Sequence, residues 1–285
     1  MKIRPFAVVC CILSLTALGR AAESPFFAMN TIAKGGPDVV VPLLKELGYA
    51  GLGGAAGDRP MAEALKQAGL KFFNGYLTLA LHPDRPALDD KLRAQLDAMK
   101  GFDTVLWLAV SKLQREGAPP MSRSGANDNI VAARLKEIAD YAKARGVKVA
   151  LYPHTGQYLA HFEDAIQMAE RLNHPAVGVT FNLCHWLKVE GSERDPAPLL
   201  KAALPRLMFV TINGADTGDT KAMNWTRLIL PLGEGSYDVG AFLRKVRAAG
   251  YTGPIGFQGY GIKAPPREVL AKTMEAWKRM QASAQ

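Results

Sequence analysis

The sequence predicts an α/β fold, a single (β/α)8 barrel of the TIM type, and three observations predict it. Short apolar runs alternate with amphipathic stretches from Phe26 to the end of the chain, eight of each. Every amphipathic stretch has a recognisable stop, so the pairs read as strand–helix units with parallel strands and right-handed crossovers. Eight such units in roughly 250 residues is the length a closed barrel takes. An open doubly wound sheet fits less well, because no GxGxxG motif follows the first run.

The units follow in order, each helix with apolar residues at three- and four-residue spacing. FFAMNTI (Phe26 to Ile32) precedes PDVVVPLLKEL, which Pro37 opens and Gly48 stops. AGLGGA (Ala50 to Ala55) precedes MAEALKQAGL, and the glycines from Gly51 to Gly57 read as a tight strand-to-helix loop. KFFNGYLTLAL (Lys71 to Leu81) is followed by DDKLRAQLDAMKGF, which ends at Gly101. TVLWLAVS (Thr104 to Ser111) leads to NDNIVAARLKEIADYAKARGV, with an Asn/Asp cap and a stop at Gly146. KVALYPH (Lys148 to His154) leads to HFEDAIQMAERLNHP, stopped at Asn173 before Pro175. VGVTFNLCH (Val177 to His185) is followed by the shorter DPAPLLKAALPR. LMFVTING (Leu207 to Gly214) precedes SYDVGAFLRKVRAAGYTG, and GPIGFQGYG (Gly253 to Gly261) precedes PPREVLAKTMEAWKRM. Two longer connections, 112–126 and 215–236, fall on the C-terminal face of the barrel, where loops build sites.

Residues 1–22 have the three parts of a secretory signal: Lys2 and Arg4, an apolar core from Phe6 to Leu18, and small residues at Gly19, Ala21 and Ala22. That core falls short of the roughly 20 residues a membrane span needs, so the expectation is a secreted or periplasmic protein, free of the membrane after cleavage. The barrel domain then occupies 26–285. Three cations, Lys2, Arg4 and Arg20, of the formal +9 lie in the leader. No basic block is interleaved with aromatics, which argues against nucleic acid as a partner. Cys10 and Cys11 also lie in the leader, so only Cys184 remains, and no internal disulfide can form.

Chemistry in a barrel is expected at the C-terminal strand ends. Those ends carry Tyr152 and His154, Asn182 and His185, Thr211 and Asn213, and Gln258 and Tyr260, with Asn30 and Asn74 on strands one and three. Amides, phenols and imidazoles suit a polyhydroxylated ligand, and the lack of clustered carboxylates argues against a two-carboxylate glycosidase.

The segments YPH at 152–154, NLCH at 182–185, VTINGAD at 210–216, PLGEGSYD at 231–238 and GFQGYG at 256–261 together resemble the xylose-isomerase-like barrel family. That family includes sugar phosphate isomerases and epimerases and repair endonucleases, and the resemblance covers roughly residues 27 to 280. It implies a divalent metal held by Glu, Asp, His and Glu, at positions that read here as Tyr152, Asn182, Asn213 and Gln258. Neutral amides ligate poorly beside carboxylates, and a tyrosine must first lose its proton. The expectation is therefore no cofactor and no metal ligands, although His154 and His185 with amide oxygens could still hold a soft divalent ion weakly.

Each candidate then has an expected part. His154, His185 and Glu234 are the catalytic candidates, with Glu234 alternatively capping a helix. Tyr152, Asn182, Asn213, Gln258, Tyr260 and Trp186 would bind substrate, with Trp107 and Trp186 alternatively core. Cys184 is expected to pack as a small apolar residue facing away from its strand neighbours, and Lys188 and Glu190 to form a surface pair. The function implied is an exported isomerase or epimerase that abstracts a proton next to a carbonyl of a neutral or keto sugar, or a lyase on such a sugar. The alternative is a carbohydrate- or partner-binding barrel that has lost catalysis. Oligomeric state is left open.

Overall fold

The computed structural model describes residues 24–282; the expected leader, 1–22, lies outside the described residues. Eight parallel strands close into a barrel in sequence order. They are β1 (Phe26–Met29), β2 (Gly51–Ala55), β3 (Lys71–Leu81), β4 (Val105–Leu113), β5 (Lys148–Leu151), β6 (Val177–Asn182), β7 (Leu207–Ile212) and β8 (Ile255–Phe257). Closure is made by β8, which pairs with β7 and with β1, placing Phe26 opposite Ile255. The expected fold class is the observed one.

The crossover helices are α1 (Pro37–Leu47), α2 (Arg59–Gln67), α3 (Asp90–Ala98), α4 (Gly125–Lys143) and α5 (Phe162–Leu172). After β6 come α6 (Leu183–Glu190) and α7 (Ala197–Ala203); after β7, the single turn α8 (Trp225–Leu228) and then α9 (Val239–Ala248); and α10 (Pro266–Ala282) closes the chain. Side-chain caps set several starts: Asp58, Asp89, Ser124 and Asp238 each accept a backbone N–H from the first turn. Among the described residues no helix is long and apolar enough to cross a membrane.

Two apolar layers hold the barrel. Strand and helix side chains pack between the sheet and the helical ring, while a smaller cluster of Phe27, Met29, Phe73, Trp107, Tyr152 and Phe209 fills the interior. There Phe27 stacks on Phe73 at 4.5 Å and Trp107 on Tyr152 at 4.0 Å. Each such ring removed from water contributes about 1.5–3 kcal/mol. The second strand run is where the sequence placed it, with Gly51 to Gly54 in β2 itself, so only Gly57 of the glycine cluster belongs to the strand-to-helix turn expected for the whole of it. Gly53 is required there because a Cβ would stand 2.5 Å from Met29 Sδ and 2.8 Å from Asn74 Nδ2.

Several strands, β5 and β6 among them, end earlier than the apolar runs suggest, while β3 ends where it was read and β4 runs on to Leu113. Beyond Leu151, Pro153 has no N–H to give the ladder, so Tyr152 and His154 stand past the end of β5. Strand six stops at Asn182, whose side chain accepts the His185 N–H and starts α6. Cys184, His185 and Trp186 therefore lie on the first helical turn rather than on a strand, which redistributes the directions they face.

Candidate active site at the C-terminal mouth

The cavity at the C-terminal ends of the strands has a volume of about 510 Å³. Its walls are Met29, Asn30, Thr31, Tyr76, Trp107, Tyr152, His154, Thr155, Cys184, His185, Trp225, Ile229, Gln258 and Tyr260. No Asp, Glu, Lys or Arg lines it. Trp107 and Tyr152 form the buried floor, with the Trp107 indole donating to Thr180 Oγ1 at 2.8 Å. Tyr260, 66% exposed, and Trp225, 37% exposed, stand at the rim, and Trp225 lies edge-on to His185.

Two imidazoles meet in this cavity. The rings of His154 and His185 are stacked at a tilt, with centroids 3.9 Å apart. His154 Nδ1 lies 3.0 Å from the Thr155 carbonyl oxygen. His185 Nδ1 faces the Thr155 N–H at 3.3 Å and the Thr155 hydroxyl at 3.0 Å. Burial lowers the pKa of His154 below the ordinary imidazole value. For His185 burial and then the neighbouring His154 push it well below. Both rings are therefore neutral at pH 7.

The loop carrying Thr155 is braced from several sides. His154 N donates to Leu159 O at 2.9 Å, Tyr158 N to Val110 O at 3.0 Å, and the Tyr158 hydroxyl to Asp128 at 2.7 Å. Arg123 in turn bridges Asp128 and Asp164. Burial pushes the Asp128 carboxyl up, but Arg123 and Tyr158 outweigh it and hold the group below the usual carboxylate range. The ion pair is thus present at pH 7 and fixes the loop.

Asn182 lies beneath the imidazoles with its amide fully engaged. Its Oδ1 accepts from His185 N at 3.1 Å and Cys184 Sγ at 2.9 Å, and its Nδ2 donates to Thr211 Oγ1 at 2.7 Å and the Tyr152 hydroxyl at 3.2 Å. It builds the site instead of binding in it. Burial keeps the Tyr152 phenol protonated, its pKa raised well above the ordinary value. Gln258 lines the cavity with its Oε1 held by the Thr31 hydroxyl at 2.7 Å.

Besides Asn182, four sequence-based assignments need correction. Trp186 does not line the cavity: α6 turns it into the outer core against Phe181. Asn213 is buried with its Nδ2 on the Gly214 and Leu228 carbonyls, outside the cavity wall. Glu234 is exposed in a separate surface groove with Tyr237 and Arg244. Cys184 does reach the cavity, because a helical turn and not a strand carries it; burial raises its thiol pKa to about 12. Of the two long connections, 215–236 contributes Trp225 and Ile229, while 112–126 contributes nothing to the wall. Asn30 lines the cavity, whereas Asn74 is buried with neither amide atom partnered. Sequence reasoning missed Thr31, Tyr76, Thr155 and Trp225; the TG pair after His154, a turn signal, was the available pointer to Thr155.

The side chains at the family's metal positions do not fit a hard divalent ion. Asn182 Oδ1 already accepts two hydrogen bonds, Asn213 lies outside the cavity wall, Tyr152 keeps its proton and Gln258 offers one neutral amide oxygen that already accepts from Thr31, which leaves no carboxylate among the four. Among the described residues no three His, Cys, Asp or Glu side chains gather at one point.

Fold and site together define a closed (β/α)8 protein whose pocket lies at the strand C-termini. The xylose isomerase-like TIM barrel model matches residues 42–280, and the chain belongs to that family. A 3-dehydroshikimate dehydratase of Pseudomonas putida is 23% identical over 181 residues, covering 62% of this chain but 27% of its own. The chain thus spans about a quarter of that relative's length. Among solved structures, the IolI protein with a zinc atom superposes with TM-score 0.73 at 14% identity, covering 92% of this chain and 99% of that one. The Escherichia coli 3-keto-D-glucoside 4-epimerase superposes with TM-score 0.67 at 17% identity, covering 90% and 99%.

Proposed function

We propose that this protein is an exported enzyme that moves a proton next to the carbonyl of an uncharged sugar, a ketose or a 3-keto sugar. The observation that carries the reading is the pair of neutral imidazoles in a cavity with aromatic walls and no charged side chain. Neutral imidazole is a competent base at pH 7, and the rate gain from a positioned base is typically 10²–10⁴-fold. A phosphate or carboxylate would enter without a cation to meet it, which disfavours sugar phosphates. The Trp107 and Tyr152 faces suit the apolar side of a sugar ring, while Gln258 and Asn30 offer amides to hydroxyls. Isomerisation, epimerisation and elimination share the proton-abstraction step, in keeping with the 3-keto-glucoside epimerase among the solved structures; the dehydratase relative, whose substrate is a carboxylate, supports the elimination chemistry but not the uncharged substrate. The leader at 1–22 supports export to the periplasm or beyond.

The test is metal analysis of the purified protein followed by C–H exchange into D2O with D-fructose and methyl 3-keto-D-glucoside. Exchange by metal-free protein that disappears in the His154→Ala/His185→Ala double variant supports the reading. Tight binding of a sugar with no exchange would replace it by a non-catalytic carbohydrate-binding barrel. Activity that depends on a stoichiometric metal would overturn it.

A further inference from the structure

We infer that Thr155 locks the two histidines in opposite neutral tautomers, so that His154 presents a bare Nε2 as the base and His185 an Nε2–H as the hydrogen-bond donor. This rests on the proton-transfer reading above and assigns the two roles within it.

The assignment follows from what a peptide unit can and cannot do. A carbonyl oxygen only accepts, so the 3.0 Å contact from Thr155 O requires His154 Nδ1 to carry a hydrogen. A backbone N–H only donates, so the contact from Thr155 N requires His185 Nδ1 to carry a lone pair. The Thr155 hydroxyl at 3.0 Å adds a second donor to the same nitrogen. A neutral imidazole has one N–H and one lone pair, so fixing Nδ1 fixes Nε2. Thr155 therefore polarises the two rings oppositely, through groups at its own N- and C-terminal sides. Its position is set by Tyr158, Leu159 and the Asp128–Arg123 bridge. Both rings line one cavity with their centroids 3.9 Å apart, so a single small ligand there can lie against both.

The chemistry balances without a co-reactant. His154 Nε2 takes the proton from the carbon beside the carbonyl, the C–H electron pair becomes the new C=C bond, and the carbonyl pair moves onto oxygen. The resulting enolate oxygen accepts a hydrogen bond from His185 Nε2–H. Imidazolium at His154 then returns its proton to the neighbouring enediol carbon while the hydroxyl proton passes to the enolate oxygen, giving an isomer, or to a departing β-oxygen, giving elimination; return to the original carbon from the same face regenerates the substrate with its hydrogen exchanged. His185 cannot exchange roles with His154, because protonating its Nδ1 would set an N–H against the Thr155 N–H.

The experiment is a two-bond ¹H–¹⁵N correlation spectrum of the full ¹⁵N-labelled protein at pH 7, with the rings assigned by His154→Gln and His185→Gln. The expected result is the Nδ1–H tautomer for His154 and the Nε2–H tautomer for His185. One shared tautomer, or the reverse pair, overturns the inference. C–H exchange into D2O supplies the second readout. His154→Gln, which has no basic nitrogen, should lose at least about 10³-fold. His185→Gln, whose amide can still donate, should lose about 10- to 100-fold. The opposite ranking overturns the role assignment. If the tautomers are as stated but the wild-type protein exchanges no C–H proton on either sugar, the proposed function fails while the tautomer lock stands.

Discussion

The barrel has an opening at each end, and the two are similar in size and opposite in chemistry. The C-terminal mouth, about 510 Å³, is lined by imidazole, phenol, indole and amide groups with no charge. The N-terminal mouth, about 410 Å³, is lined by Lys71, Lys148, Arg206 and Asp103 above Phe73, Phe209 and the prolines Pro175, Pro205 and Pro254. Its cations are exposed or already engaged: Lys71 pairs with Asp103 and Arg206 donates to Asn173. What separates the two ends is therefore desolvation and convergence, not volume. At the C-terminal mouth burial lowers the pKa values of two imidazoles whose ring centroids lie 3.9 Å apart in one cavity.

The sharpest way to break that contrast is to remove one group from each end. His154→Ala should lower the exchange rate by about 10³–10⁴-fold, while Lys148→Ala leaves it unchanged. An equal effect of both in the same D2O assay would mean that the site has been placed at the wrong end.

Next in size is Asn182→Ala, which removes the α6 cap, the Nδ2 donor to Thr211 Oγ1 and the acceptor of the Cys184 thiol. A loss of about 2–4 kcal/mol in urea unfolding is expected from the cap and the lost hydrogen bonds combined. Gly53→Ala, which crowds Met29 and Asn74, should cost about 1–3 kcal/mol in the same measurement.

The pH dependence of stability sharpens the comparison further. Both histidine pKa values are depressed on folding, so the unfolded chain binds more protons below the ordinary value of 6.5. Stability contributed by the neutral pair is complete above pH 6.5 and is lost as pH falls toward the folded pKa values. Urea midpoints followed downward from pH 7 should fall less steeply in His185→Asn than in the wild type. The smallest effect belongs to the other mouth: Lys71→Ala breaks an exposed pair and should change stability by at most about 1 kcal/mol, less at high salt.

The barrel was legible because its period is long and repeats eight times: each of the eight strands overlaps an apolar run, although the strand ends shift by a few residues and α6 was not foreseen. The imidazoles, Tyr152, Gln258 and Tyr260 were legible as residues at strand ends. The failures on strand six share one physical cause, that apolar runs do not mark where a strand ends. Reading β6 through to His185 hid Asn182 as a cap, put Cys184 on the wrong face and Trp186 in the cavity. The position of Trp225 depends on how 215–236 folds back over the mouth, for which no periodicity exists to read. Asn213 was placed by strand register alone, whereas the carbonyls of Gly214 and Leu228 claim its amide.

The seam between the first and last strands has a consequence for biosynthesis. Thr31 and Gln258, 227 residues apart, meet across it at 2.7 Å, and β1 finds its second neighbour only when β8 is made. During synthesis from the N-terminus, the pocket lacks part of its wall and the sheet keeps two open edges until β8 has emerged. Such distant contacts make closure a late and slow event. The nascent chain has no complete catalytic mouth to use before then, and its edges are the part of the molecule most in need of a chaperone while it waits.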